Sequence, residues 1–223
     1  MFILSNIVDK LVEGYIRDML PENKGIIKEM EEFARDNNIP IVHPEVAKFL
    51  DVIIKISKVK SILEVGTAIG YSALIFSRAM GNEGKIVTIE KSEDMYNLAK
   101  NNIKKAGQKA NIDILLGDGR EVLPQIEGKF DMIFLDAAKG HYQKFLLSCI
   151  DRLNDNGIIV SDNVLYKGMV ASNQYVVRRK ITIVKRMRKY LNYISNHPRL
   201  TTSIIPIGDG VALTYKLGGN YGE

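Results

Sequence analysis

Hydrophobic and polar positions along the chain fall into two regimes. Up to about residue 57, apolar residues recur at helical spacing over Ile7 to Leu20, Lys24 to Arg35 and Pro44 to Ile56, with Leu20-Pro21-Glu22-Asn23 and Asn37-Asn38-Ile39-Pro40 as breaks. Beyond that point, short apolar runs near 60–65, 85–90, 112–116, 130–135 and 157–162 alternate with helical segments near 71–80, 92–106, 119–126 and 139–152. Strands alternating with helices imply a parallel sheet covered on both faces. A long amphipathic helix from about Gln174 to Ser195 follows, then two strands at about 201–206 and 210–216. Between these two, Gly208-Asp209-Gly210 is a hairpin-type turn, so the last strand is expected to run antiparallel to its neighbour. The pattern predicts one α/β domain over 1–223, with an N-terminal helical layer over 1–57 and a core over 58–223 built on a seven-stranded, mostly parallel sheet. No internal repeat, low-complexity tract or linker interrupts it.

Within this pattern, Ser61 to Ser72 reads as strand, tight turn and helix start. Ile62, Leu63 and Val65 suit a strand buried on both faces, and Gly66 and Gly70 let backbone approach a ligand without a Cβ in the way. Ser72 is read as a cap for the helix. The glycines are four apart, as G-x-x-x-G, and fit poorly to the G-x-G-x-x-G that seats a pyrophosphate. Glu64 beside the turn suits a cationic group better, such as the amino end of S-adenosylmethionine. Taken alone, Gly-x-x-x-Gly after a strand is equally well explained as turn chemistry.

The acidic residues change that balance. Glu64, Glu90, Asp118, Asp136 and Asp162 with Asn163 all fall at or just beyond the carboxyl ends of the five parallel strands, where open parallel sheets bind ligands. One such residue is more often a helix cap, and Asp118 taken singly reads that way; the set of five is harder to explain structurally. Glu90 lies 24 residues after Gly66, at the position where an acid accepts hydrogen bonds from ribose hydroxyls. Gly117-Asp118-Gly119 can flank an adenine. Asp136, Asp162 and Asn163 are hard oxygen donors of the kind that hold magnesium and leave positions open for water or substrate. Lys139, three residues after Asp136, brings an amine to the same rim, and a neighbouring cation would suit it to take a proton from a substrate hydroxyl.

Composition adds limits. With 46% hydrophobic and 26% charged residues over 223 positions, the chain reads as an ordinary globular protein. No apolar run approaches the ~20 residues of a membrane helix, and Met1 to Lys10 has no leader pattern, so a cytoplasmic location and no membrane partner are expected. The single Cys149 sits in an apolar run and is assigned to the core. His43, His141 and His197 are too scattered for a zinc spacing, and each is read as an ordinary polar residue. Net charge is +5, but from Asn163 to Gly208 there is no Asp or Glu against nine Lys and Arg, so that stretch carries +9 and the rest −4. Localised positive charge points to an anionic partner.

The residues now carry a resemblance. Glu64-Val65-Gly66-Thr67-Ala68-Ile69-Gly70-Tyr71-Ser72, Phe134-Leu135-Asp136-Ala137-Ala138-Lys139 and Ser161-Asp162-Asn163-Val164-Leu165 resemble the metal-dependent O-methyltransferases of the catechol and caffeoyl-CoA type, from about Ile39 onward. The resemblance implies a Rossmann-like class I methyltransferase fold with helices on both sheet faces, S-adenosylmethionine and Mg2+ as cofactors, and pairing into homodimers. It implies Asp136, Asp162 and Asn163 as metal ligands, and Asp136 with Lys139, the base, as the catalytic pair. The cofactor contacts it implies are Val42, Glu64, Gly66, Thr67, Tyr71, Ser72, Glu90, Gly117, Asp118 and Asp136; Val42 falls in a cofactor-covering segment, although Val42-His43-Pro44-Glu45 departs from the small-polar pattern usual there. Asp162 to Ala171, Asn196-His197-Pro198 and Ile205 to Ala212 are further similar to the bacterial tRNA 5-hydroxyuridine methyltransferases, which implies the tRNA anticodon loop as partner and 5-methoxyuridine as product.

The acid-free stretch supports that implication. Over 174–195 an apolar stripe of Val177, Ile181, Val184, Met187, Leu191 and Ile194 leaves Arg178, Arg179, Lys185, Arg186, Arg188 and Lys189 mostly outside it. With Lys167 these form the expected RNA-binding set. Solvated helix faces usually mix signs, and this one does not. In 5-hydroxyuridine the C5 hydroxyl neighbours the C4 carbonyl, so both oxygens can chelate one magnesium as a catechol's do. A small catechol-like or hydroxycinnamoyl substrate is the competing expectation, and a non-catalytic RNA-binding protein on this fold is a third.

Overall fold

The structure is a computed structural model that describes residues 7–108 and 111–219. The expected layer residues 1–6 and the last four residues of the expected core lie outside that range. Three helices come first, α1 (Lys10–Asp18), α2 (Ile26–Asp36) and α3 (Pro44–Ile56). Then β1 (Ser61–Val65), α4 (Tyr71–Ala79), β2 (Lys85–Glu90), α5 (Glu93–Lys105), β3 (Ile112–Leu116), α6 (Gly119–Val122), β4 (Phe130–Leu135), α7 (Tyr142–Cys149) and β5 (Leu153–Ser161) alternate as the apolar runs predict. The chain closes with α8 (Ile181–Asn196), β6 (Leu200–Ile205) and β7 (Val211–Lys216).

The sheet has seven strands in the order β3-β2-β1-β4-β5-β7-β6. β1 to β5 are parallel, while β7 inserts between β5 and β6 antiparallel to both, which is the Rossmann-like arrangement with a reversed last strand. Alternate residues along each strand feed two cores, as a pleat requires. Ile62, Met132, Phe134 and Val160 face α2, α3 and α4. Leu63, Ile133, Leu135 and Ile159 face α7 and α8. Each of these side chains is at most 2% exposed where it lies in β1 or β4, and each contributes about 1.5–3 kcal/mol by burial.

Several helices are shorter than their apolar periodicity suggests, for local reasons. Pro124 ends α6 after four residues in a 3₁₀ turn over Leu123–Gln125. Lys139–His141 forms a 3₁₀ turn before α7. The expected helix from Gln174 begins only at Ile181, because Val176 and Val177 are extended and Arg178–Lys180 is a separate 3₁₀ turn. Val177 and Ile181 are consequently 52% and 39% exposed, and the buried stripe is Val184, Met187, Tyr190, Leu191 and Ile194. Helix α1 presents Glu13 and Arg17 inward and leaves Leu11 and Tyr15 in solvent, and Met19 just beyond its end is exposed too. No helix among the described residues is long and apolar enough to cross a membrane.

Candidate active site

The carboxyl ends of β1 to β5 open into one cavity of about 620 Å3, bordered on its other side by the end of α2 and the segment that leads from it to α3. That volume is in the range of small-molecule sites. Val42, Gly66, Thr67, Tyr71, Ser72, Glu90, Gly117, Asp118, Asp136, Lys139, Asp162 and Asn163 all line it, so the fold brings together every predicted cofactor, metal and catalytic residue except Glu64.

At the β1 end the backbone comes very close to its neighbour. Gly66 has φ 105°, and a Cβ there would overlap the Asp136 carbonyl oxygen; only glycine allows β1 and β4 to deliver their loops side by side. Glu90 at the tip of β2 is fixed by three backbone donors: Ala68 N–H to Oε2, and Lys91 and Ser92 N–H to Oε1, each at 2.8 Å. Its carboxylate is preorganised with lone pairs still facing the cavity. Asp118 caps α6 through Arg120 N–H and takes both the Arg120 guanidinium and Lys91, and the Arg120 hydrogen bonds hold its carboxyl well below the usual range. It behaves as the capping residue that it resembles singly, while still bordering the cavity.

Glu64 lies beneath the cavity wall. Its carboxylate is fully buried and accepts from Ser72 Oγ at 2.5 Å and Thr88 Oγ1 at 2.6 Å, Thr88 being its partner in the β1–β2 register. Burial pushes this carboxyl up to about 7, against the two hydroxyl donors, with the nearby charges of Asp136 and Glu90 adding to the rise. Glu64 itself does not line the cavity, whereas Ser72, which donates to it, does.

Across the cavity, Asp162 at the end of β5 is 2% exposed, and its backbone N–H donates to Leu135 while its carbonyl accepts from the Tyr142 hydroxyl. Asp136 N–H is anchored to the Val65 carbonyl at 3.0 Å. Burial pushes both carboxyls up, and the charge of Asp136 raises Asp162 further. Lys139 and His43 oppose both shifts by their charge. Asn163 follows with φ 55°, a left-handed residue whose N–H donates back to Asp162 Oδ1 at 2.6 Å.

Two features escape the sequence reading. His43, read as an ordinary polar residue, lines the cavity and is linked through Glu45 to Arg17 of α1. Arg17 grips Glu45 with Nε and Nη2 at 2.8 and 2.9 Å, and also bonds Glu13. Glu13, His43 and Glu45 converge within 4.8 Å, but the Arg17 guanidinium already supplies the cation there. Burial opposes charge on His43, yet the hydrogen bond and charge of Glu45 outweigh it and raise the imidazole; Glu45 itself is held down at about 2 by His43 and Arg17 despite its burial. His141 also lines the cavity, with a buried Nδ1 that has no hydrogen-bond partner; burial and the charges of Arg120, Arg186 and Lys144 lower its pKa. A histidine one residue before the Pro that starts α3 is the only local signal for His43, and nothing local marks His141.

Of the seven expected RNA-binding residues, Lys167, Arg178, Arg179, Lys185, Arg186 and Lys189 are exposed and make no ion pair among the described residues. Arg188 departs from the expectation. Its guanidinium is tied down by the Val170 and Met169 carbonyls and Asn173 Oδ1, so it fastens the loop before α8. Arg178 and Arg179 sit on the turn ahead of the helix, and Arg186 lies over Gly140, next to Lys139.

Known proteins place this geometry. The chain is 32% identical to a catechol O-methyltransferase of Niastella koreensis over 173 residues, covering 75% of this chain and 78% of that protein. It is 29% identical to caffeoyl-CoA O-methyltransferase 1 of Eucalyptus globulus, covering 88% and 84%. The solved O-methyltransferase from Bacillus cereus in complex with SAH superposes with a TM-score of 0.81 at 26% identity, over 92% of this chain and 97% of that one. The family described as O-methyltransferase matches residues 18–217, from the end of α1 through β7, and the chain belongs to it.

Proposed function

We propose that this chain transfers a methyl group from S-adenosylmethionine to the C5 hydroxyl of 5-hydroxyuridine at the tRNA wobble position, giving 5-methoxyuridine, with magnesium held by Asp136, Asp162 and Asn163. The observation that carries the reading is the pair of carboxylates at one cavity end, Asp162 buried and Asp136 beside it, pushed up by burial, with the exposed, acid-free basic segment following directly in sequence. Two such carboxylates with an amide oxygen fit a hard divalent cation, which relieves the repulsion between them.

The residues divide the work. Glu90, oriented by its three backbone donors, takes the ribose, while Gly66, Thr67 and Ser72 leave room for the amino acid end and Gly117 to Gly119 for the adenine. Bound at the three oxygens, magnesium would acidify a chelating substrate hydroxyl, and S-adenosylmethionine would supply the methyl. Lys139 stands on the same rim to accept the hydroxyl proton. Lys167, Arg178, Arg179, Lys185, Arg186 and Lys189 meet backbone phosphates around a base splayed from its single-stranded loop. The SAH held by the Bacillus cereus protein, the product of such a transfer, supports the cofactor reading.

A second reading follows from relatives named as caffeoyl-CoA and catechol O-methyltransferases: the same chemistry on a small vicinal diol or a hydroxycinnamoyl thioester. Side-by-side turnover separates them. With S-adenosylmethionine and magnesium, tRNA carrying 5-hydroxyuridine is expected to yield methoxyuridine by mass spectrometry and to fall silent with chelator. Turnover of catechol or caffeoyl-CoA with inert tRNA selects the second reading.

A further inference from the structure

The Gly208-Asp209-Gly210 turn does more than reverse the chain between β6 and β7. Three acceptors on it receive three donors from the loop that follows β5: Val164 N–H reaches the Gly210 carbonyl at 2.9 Å, Leu165 N–H the Asp209 carbonyl at 3.0 Å, and Lys167 N–H the Asp209 Oδ1 at 2.5 Å. That loop requires an external hold. Asn163, Tyr166 and Lys167 have φ of 55°, 46° and 57°, left-handed values that residues with a Cβ avoid unless their surroundings impose them. The N–H groups of Val164, Leu165 and Lys167 would otherwise need other partners.

The turn is itself wedged in place. A Cβ on Gly210 would run into Leu165, and one on Gly208 would meet Val46 Cγ2 at 2.7 Å and His43 Nδ1 at 3.3 Å. Both glycines have positive φ, 55° and 86°. One face of the turn therefore bears on the start of α3 beside His43, and the other on the loop carrying Asn163. Asp209 is half-buried, and burial raises its carboxyl while the Lys167 N–H and the charges of Lys139 and His43 hold it down, which places it in the field of the same rim.

We propose that Asp209 is a positioning residue for the acceptor side of the site: it clamps the loop 163–167, with Asn163, Tyr166 and Lys167 in left-handed conformations, and so keeps Asp162 and Asn163 presented to the cavity. The proposal rests on the reading of those two residues as cation donors. It separates the two ends of the cavity, because Glu90, Gly66 and Ser72 are held by β1, β2 and α4 and owe nothing to this turn.

The test compares Asp209→Ala with Asp209→Asn, whose amide oxygen still accepts from Lys167. Hydrogen exchange over residues 162–170 is expected to quicken about tenfold in the Ala variant and to stay near the parent in the Asn variant. Mn2+ affinity, read by electron paramagnetic resonance without cofactor or substrate, is expected to fall about tenfold in the Ala variant alone, while SAH affinity by calorimetry is unchanged in both. Asp209→Ala/Lys167→Gly, with a glycine that adopts φ 57° without strain, serves if the single Ala variant does not fold, and its exchange over 162–170 is expected to stay faster than the parent's because the 167 N–H still lacks its acceptor. Parent-like protection and Mn2+ affinity in the Ala variant overturn the proposal, as do equal losses in Ala and Asn, or an SAH loss matching the Mn2+ loss. If the parent binds no Mn2+, the cation reading fails, and the exchange of 162–170 alone decides whether Asp209 clamps the loop.

Discussion

Replacing Glu64 with Gln is expected to make the unliganded protein more stable at neutral and alkaline pH. The Glu64 carboxyl is pushed from 4.5 to about 7 by burial, so folding favours its protonated form. A raised carboxyl contributes stability that is present below the unfolded pKa and lost as pH rises through the folded one. With these two values the penalty relative to a neutral residue is about 1 kcal/mol at pH 5 and about 3 kcal/mol at pH 8. Gln is well placed to keep the local bonds. Its oxygen accepts from Ser72 Oγ, and its amide donates to Thr88 Oγ1, which can turn its own proton to Thr67 Oγ1, 2.6 Å away. Urea unfolding of parent and Glu64→Gln at pH 5, 6.5 and 8 measures the difference. The stability gap should widen by about 2–3 kcal/mol in favour of Gln between pH 5 and pH 8. A gap that stays constant with pH refutes the reasoning, and a variant less stable at every pH shows that the charge is needed where it stands.

Two further outcomes follow from the site. Gly66→Ala puts a Cβ onto the Asp136 carbonyl oxygen at φ 105°, which should cost about 3 kcal/mol, lower the melting temperature by roughly 9 °C and abolish SAH binding by calorimetry. Neutralising Arg178, Arg179, Lys185 and Lys189 with Gln should weaken tRNA binding and reduce the slope of log affinity against log salt by about one unit for each phosphate that is no longer neutralised, measured by filter binding; an unchanged slope removes this face from the RNA path.

Much of the fold is legible in the chain because buried strands write themselves as apolar runs. Ile62, Leu63 and Val65 sit at most 2% exposed, and Glu90, Asp118, Asp136 and Asp162 come to one rim because parallel strands share one carboxyl edge. What sequence spacing could not show depends on partners far along the chain. Glu64 looks like a ligand-facing acid beside a glycine turn, and only the register with Thr88 and the start of α4 turns it inward. His43 reads as isolated until Arg17 and Glu45 are folded against it. Arg188 counts as one more cation in a basic stripe, although three acceptors of the preceding loop occupy it. The delayed start of α8 reflects Val176 and Val177, extended residues whose apolar spacing imitates the helix that follows.

The most direct test follows the methyl group itself. Purified protein is incubated with magnesium, S-adenosylmethionine labelled in its methyl hydrogens, and tRNA whose wobble base is 5-hydroxyuridine, and the nucleosides are resolved by mass spectrometry. The account predicts labelled 5-methoxyuridine from the parent protein and none from Asp162→Ala or after chelation. No labelled nucleoside from the parent, or an equal yield from Asp162→Ala, would contradict it.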